Sequence, residues 1–179
     1  MRTLSTRRTV FAVLTAAGIA AGAVTATAVS EDSRAIAPQR ITASGVGDVT
    51  LGKTFRELRR AGLVGRLRSG CEFGGPQARS AALRAPLRGS VDLTRTSPRK
   101  VEIIAVRGGA TARGVGVGDR ARRVRRAYPK VRFDHSTDDV FGITIARVPR
   151  NGGGRIEFAI NTETNRVQLI AVPFIAFCD

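Results

Sequence analysis

Two arginine-rich segments of the chain have apolar residues spaced three to four positions apart. These are Phe55, Leu58 and Ala61 in the first segment and Ala121, Val124 and Tyr128 in the second. This spacing places the apolar side chains on one face of a helix and the arginines on the other. Thr54 and Asp119 come just before the two stripes and are candidates for the N-cap. The pattern predicts a short helix in each segment.

Other segments alternate with a period of two and are rich in β-branched or aromatic residues, which predicts strands. The strand candidates are 91–94, 100–106, 141–148, 155–160 and 166–172. Turn-forming residues at 151–154 and 161–165 separate the last three, so neighbouring strands are expected to pair antiparallel. The Gly- and Pro-rich stretch 74–90 is predicted to be a loop.

The chain matches itself at an offset of 66 residues, which indicates an internal duplication. Residues 51–62 align with 117–128, and residues 100–106 align with 166–172. The match predicts repeat 1 at 45–110 and repeat 2 at 111–179, after a polar linker at 29–44. The predicted fold class is therefore α+β, with two tandem repeats that each pack a short helix on antiparallel strands. Together the repeats form one globular domain, 45–179.

Residues 1–28 have the layout of a signal peptide. Arg2, Arg7 and Arg8 begin it, an uncharged run follows, and Ala26-Thr27-Ala28 places small residues before a cleavage site. Cleavage after Ala28 leaves no stable membrane anchor, and no cysteine follows the run, which excludes a lipoprotein. We expect a secreted or envelope-associated protein that uses the Sec route, while the arginine pair leaves the twin-arginine route open.

The mature chain of 151 residues is long enough for one domain with a real core. Cleavage removes three arginines and no acidic residue, so the formal charge falls from +16 to +13. An exported protein this basic is expected to meet anionic envelope polymers, lipid headgroups or an acidic protein. Nucleic acid is not an expected partner, because one Tyr and no Trp are available for base stacking.

The opening of repeat 1 resembles a known motif. Leu51-Gly52-Lys53-Thr54-Phe55-Arg56-Glu57-Leu58 is similar to the repeat opening of the secreted β-lactamase inhibitor proteins of actinomycetes and of small outer-membrane assembly lipoproteins. Repeat 2 departs from it, with Asp119-Arg120 where the motif has x-Thr. The resemblance implies helix-then-sheet units whose sheets form a concave surface that grips a protein partner. It implies no site residues, because the inhibitors' binding residues lie outside the motif.

The two cysteines, Cys71 and Cys178, are predicted to form a disulfide, since exported chains with an even cysteine count usually pair their thiols. Closing a loop of this length contributes about 4 to 5 kcal/mol in the chain-entropy model. The alternative is an enzyme in which Cys71 is the nucleophile and His135 its base. Ser69-Gly70-Cys71 resembles part of the L,D-transpeptidase signature, but the His-Gly motif and the following arginine of that family are missing.

Arginines on the outer faces of the predicted helices are the candidate anion-binding residues. They are Arg56, Arg59, Arg60, Arg122, Arg123, Arg125 and Arg126. Residues 134–139 gather three carboxylates and His135, which we interpret as a solvated acidic turn rather than a calcium loop. The sequence predicts no cofactor, no metal and no catalytic residue. It predicts an exported, non-enzymatic binding module for a protein, or alternatively for an anionic envelope polymer.

Overall fold

The computed structural model describes residues 38–149 and 154–177, and its main feature is an antiparallel sheet of eight strands. The strands of the described part are β1 (Gln39–Thr42), β2 (Gly45–Val46), β3 (Val49–Thr50), β4 (Val64–Ser69), β5 (Arg79–Leu83), β6 (Arg88–Leu93), β7 (Val101–Gly108), β8 (Ala110–Thr111), β9 (Arg132–Asp134), β10 (Ile143–Arg147), β11 (Glu157–Asn161) and β12 (Arg166–Val172). The helices are α1 (Phe55–Arg60), α2 (Ala121–Ala127) and α3 (Asp138–Phe141), with a 3-10 turn at Glu72–Gly74. None of these helices is long and apolar enough to span a membrane.

The predicted fold class, an α+β tandem repeat, is wrong. Strands make up 44% of the structure and helices 15%, and the helices are few and short. The two short helices were predicted at the correct positions, but they have only six and seven residues, so helices are a small part of a mainly β structure. Sequence periodicity missed strands because several have only two or three residues, and because β5 (Arg79–Leu83) lies in the predicted loop 74–90. The last residues of the predicted linker form β1.

The large sheet has the order β4-β5-β6-β7-β12-β11-β10-β9, so the first half of the chain fills one side and the second half fills the other in reverse order. A second sheet of four short strands has the order β3-β2-β1-β8 and contains one parallel pair, β1 with β8. Apolar residues of both sheets and of two helices form one core. Its fully buried members include Val46, Val49, Leu58, Ile104, Val124 and Phe158.

The two main helices begin differently. Thr54 is the N-cap of α1, as predicted: its side chain accepts from the Glu57 N–H, and the Glu57 carboxylate accepts from the Thr54 N–H, which forms a capping box. The prediction of Asp119 as the second N-cap is wrong. The cap residue is Arg120, whose side chain makes no capping bond. Asp119 instead accepts from the Gly116 N–H at 2.8 Å.

The strands β7 and β12 pair at the centre of the large sheet, with Ala105 opposite Ala171. Residues of β12 are buried on both faces of the sheet, because the second face carries its own apolar cluster. That cluster consists of Ile145, Ala159, Leu169, Ala171 and Ile175. We call this second face the outer face. Ile175 belongs to the segment after β12, so the C-terminal segment folds back and covers part of the outer face.

A buried carboxylate fixes the C-terminal segment on the outer face. Glu157 is only 3% exposed, and its Oε2 accepts from the main-chain N–H of Ile175 at 3.0 Å. Its Oε1 accepts from Arg147 Nε at 3.2 Å and from Arg155 at 3.3 Å. A buried carboxylate needs such partners, because leaving a charge unpaired in the interior costs several kcal/mol.

The structure brings Cys71 to the C-terminal segment. Its Sγ lies 3.6 Å from the carbonyl oxygen of Phe177. Phe177 is the neighbour of Cys178, which lies outside the described residues, as does the predicted signal peptide. The disulfide between Cys71 and Cys178 stays a prediction, and this placement supports it.

Replacing Ile175 with alanine should lower the free energy of unfolding by about 2 to 3 kcal/mol, because a buried side chain and its packing are lost. Phe174→Ala is the matched control one residue away. Its side chain is 44% exposed, so the change should stay below about 1 kcal/mol. Urea denaturation measures both. Equal effects of the two variants would contradict the anchoring role of Ile175.

The secreted protein, alkylated under denaturing conditions without reductant, should have the mass of residues 29–179 with no added alkyl group. Reduction before alkylation should add two groups, because both thiols then react. Intact mass spectrometry measures each state. Two groups added without reductant would show that the disulfide is absent and would make Cys71 the first residue to test for catalysis.

Candidate binding surfaces

Four phenylalanines gather around the C-terminal segment: three are exposed, and the fourth, Phe177, is half-buried against the apolar cluster of the outer face. Phe73 follows Cys71, Phe141 ends α3, and Phe174 and Phe177 belong to the C-terminal segment itself. Phe73 is 73% exposed and Phe141 is 46% exposed. The rings of Phe141 and Phe177 stack with centroids 4.4 Å apart. We call these four residues the aromatic surface. Large side chains of this kind are usually buried, so a group of them at the surface is a candidate interaction site.

The aromatic surface contains a depression of about 330 Å³ between Phe73, Phe174 and Phe177. Cys71 and Ile103 form part of its wall, and charged residues of both signs line it: Arg79, Arg95, Asp92 and Glu102. Arg79 is held in place by the carbonyl oxygens of Pro76 and Ala78, at 2.8 and 2.7 Å. The depression therefore combines aromatic walls with fixed polar groups, as ligand and side-chain pockets do.

Asp92 is a partly buried carboxyl group of this depression. Burial raises the pKa of Asp92 above its usual range, and the negative charge of Glu102 raises it further. The side chain has no ion-pair partner among the described residues. A carboxylate in such surroundings binds a proton more tightly in the folded protein than in the unfolded chain.

The predicted arginines of α2 separate into two groups. Arg122, Arg123 and Arg126 line a cleft of about 580 Å³ between α2, the segment before it and the start of β12. Six arginines and one acidic residue, Asp119, line this arginine cleft; the arginines are Arg113, Arg120, Arg122, Arg123, Arg126 and Arg166. Arg125 lines a second cavity, which Arg122 also borders, and its guanidinium carbon lies 4.4 Å from the ring centroid of Phe133.

The arginines of α1 do not join those of α2. Arg56 and Arg60 line a separate depression with Arg99 and Phe55. Arg59 donates to the carbonyl oxygen of Val64 at 3.4 Å. The structure therefore places the two arginine groups in different depressions and does not combine them into one basic ridge.

The acidic turn at 134–139 is held by internal partners. Asp134 pairs with Arg147, and its pKa is lowered first by hydrogen bonds from Ser136. Asp138 lies 2.8 Å from His135 Nδ1, and this hydrogen bond lowers the pKa of Asp138. No group of three metal-ligating side chains occurs in the described part of the chain. These contacts fit the interpretation of the segment as a structural turn.

The alternative Cys–His enzyme receives no support from the position of its two residues. Cys71 lines the depression of the aromatic surface. His135 lines a different cavity, of about 270 Å³, together with Arg122, Phe133 and Thr144. A nucleophile and its base must lie within hydrogen-bond reach of one another, and these two residues open into different cavities.

No family model, curated protein or solved structure matches this chain. The functional argument therefore depends on the geometry of its own surfaces. Sequence reasoning did not find the aromatic surface, because its phenylalanines come from three separate segments. The sequence offered one signal for this surface. The alternation of exposed and buried positions continues past the end of β12, where Phe174 is exposed and Ile175 is buried.

Replacing Asp92 with asparagine should raise the free energy of unfolding at neutral pH by less than about 1 kcal/mol, since solvent screens this partly exposed group. Because folding raises the pKa of Asp92, its stabilising contribution is complete below the unfolded-state value of about 3.9 and is lost as the pH rises through the folded-state value. The difference in the free energy of unfolding between Asp92→Asn and the parent protein should therefore increase as the pH rises through this range, as measured by urea denaturation at several pH values.

Glu102→Gln is the control for this prediction, because it removes only the neighbouring negative charge. It should lower the pKa of Asp92, as followed by NMR titration of the side-chain carboxyl, and it should stabilise the protein less than Asp92→Asn does. A loss of stability in Asp92→Asn at neutral pH would contradict the prediction.

Proposed function

We propose that this chain is an exported, non-enzymatic binding module that docks a protein partner on its aromatic surface. The observation that supports this proposal most directly is the cluster of Phe73, Phe141, Phe174 and Phe177 at the surface, in which Phe73 is 73% exposed. Aromatic side chains dominate the energetics of protein interfaces because they bury a large area at a small cost in conformational entropy.

The anchoring of the C-terminal segment supports this proposal. Ile175 is packed into the outer face, and its N–H is bound by Glu157, so the aromatic residues on either side of it are held in place. A surface that is ordered before binding loses less conformational freedom in the complex.

The chemistry of the depression indicates the kind of partner. A volume of about 330 Å³ accommodates one or two side chains, and its aromatic walls favour apolar ones. The mature chain carries a formal charge of +13, which attracts an acidic protein and speeds its encounter. We therefore propose an acidic exported protein that inserts an apolar side chain of a protruding loop between Phe73 and Phe174.

The immobilised mature chain should retain such a protein from the culture medium or envelope fraction of its source in a stoichiometric complex that survives moderate salt. Apolar contacts in the depression should make the complex resistant to screening. Phe73→Ala and Phe174→Ala should each weaken the complex about thirtyfold or more, because the loss of an interface hot spot costs about 2 kcal/mol or more. Surface plasmon resonance with the captured protein measures the change.

Leu67→Ala is the matched control, because Leu67 is an exposed apolar residue of β4 outside the aromatic surface. It should change the affinity less than twofold. A complex that is insensitive to both phenylalanine variants, or retention that disappears in moderate salt, would contradict the proposal. A second candidate function is the binding of an anionic polymer, which is favoured by the six arginines that line the arginine cleft.

A further inference from the structure

We propose that the arginine cleft is a binding site for an oligophosphate, a short chain of linked phosphate groups. The proposal concerns a different surface from the aromatic one, deepens the second candidate function, and does not depend on the docking of a protein partner. Six guanidinium groups line about 580 Å³, and the described lining includes one carboxylate, that of Asp119. Groups of like charge repel one another, and an anion among them replaces repulsion with charge-assisted hydrogen bonds.

The walls of the cleft are tied together by main-chain hydrogen bonds. The Gly118 N–H donates to the Val167 oxygen at 2.7 Å, and the Val167 N–H donates to the Asp119 oxygen at 2.8 Å. The strand residue Arg166 pairs with Arg120 in an isolated β-bridge. These bonds fix the segment before α2 against the start of β12. The positions of the arginine backbones are therefore set before any ligand binds.

Three of the guanidinium groups are also oriented by the protein. Arg166 donates to the carbonyl oxygen of Gly118 at 2.7 Å, and Arg123 pairs with Asp119 at 2.9 Å. Arg113 lies over the ring of Tyr128, 5.1 Å from its centroid. The side chains of Arg120, Arg122 and Arg126 have no ion-pair or hydrogen-bond partner among the described residues. Their donors are available to a ligand.

Arg113 occupies a backbone conformation that favours other residues. Ala112 and Val115 exchange both main-chain hydrogen bonds, at 2.8 and 3.0 Å, and so close a two-residue turn. Arg113 has a φ of 49° and Gly114 a φ of 76° in this turn. Asn or Gly is preferred at the first position of such a turn, and arginine there is disfavoured. A residue kept at a disfavoured conformation indicates a requirement for its side chain, and this side chain lines the cleft.

The density of guanidinium groups favours phosphate over carboxylate. Guanidinium matches phosphate through paired N–H donors, and a phosphate presents more acceptor oxygens and more charge per volume than a carboxylate. Six arginines in one cleft therefore fit several adjacent phosphates. A free oligophosphate and a segment of a phosphate-rich envelope polymer share this chemistry.

The test titrates tripolyphosphate into the mature chain by calorimetry near physiological ionic strength. The parent should bind it, and the triple variant Arg120→Gln, Arg122→Gln and Arg126→Gln should bind it at least about tenfold more weakly, because three positively charged guanidinium groups are lost. The matched control, Arg66→Gln, Arg68→Gln and Arg84→Gln, removes the same charge at exposed positions outside the cleft and should stay within twofold. Circular dichroism should show both triple variants folded, since all six arginines are exposed.

The variant Arg113→Asn separates a ligand role from a structural one. Asparagine suits the turn, so the variant should fold as well as the parent and yet bind tripolyphosphate several-fold more weakly. Poly(glycerol phosphate) binding tighter than tripolyphosphate would identify an envelope polymer as the source of the phosphates, and the reverse order would identify a free oligophosphate. The proposal is overturned if both triple variants weaken binding equally, if poly-glutamate of matched charge binds as tightly, or if no binding occurs.

Discussion

The pairing of β7 with β12 at the centre of the large sheet is the constraint on which the rest of the structure depends. A central strand presents side chains to both faces, so a sheet with apolar residues on both sides of β12 must be covered twice. The main core covers one face. The C-terminal segment covers part of the other through Ile175, and in doing so it brings Phe174 and Phe177 to the surface. The aromatic surface is thus a consequence of how the outer face is closed.

Glu157 makes that closure specific. Apolar contacts alone would hold the C-terminal segment at many positions, because the hydrophobic effect has no direction. The buried carboxylate accepts from one particular main-chain N–H, that of Ile175, and is itself held by Arg147 and Arg155. Losing this register would leave a charge unpaired in the interior, which costs more than the hydrogen bond itself contributes.

The parts of the fold that the sequence predicts are those with strong local patterns. The central strands can be predicted because they are rich in β-branched residues. Thr54 can be predicted as an N-cap because Glu57 follows it three residues later. Strand β5 was missed because Ser80, Ala81 and Ala82 give little contrast between faces. The arginines of α2 could be found since they share one helix. Arg113 and Arg166 could not, because only tertiary structure brings their segments to the same cleft.

The placement of charges distinguishes the arginine cleft from the general basicity of the chain. The buried carboxylate of Glu157 has opposite charge beside it, and its partner Arg147 also pairs with Asp134. The described lining of the cleft, in contrast, contains six arginines and one carboxylate, that of Asp119. A coding bias toward arginine would scatter these residues over exposed positions without regard to backbone conformation. It gives no reason for Arg113 to occupy a positive φ in a tight turn, whereas a requirement for its guanidinium group does. The placement of these arginines therefore fits the proposed oligophosphate site better than a general excess of positive charge does.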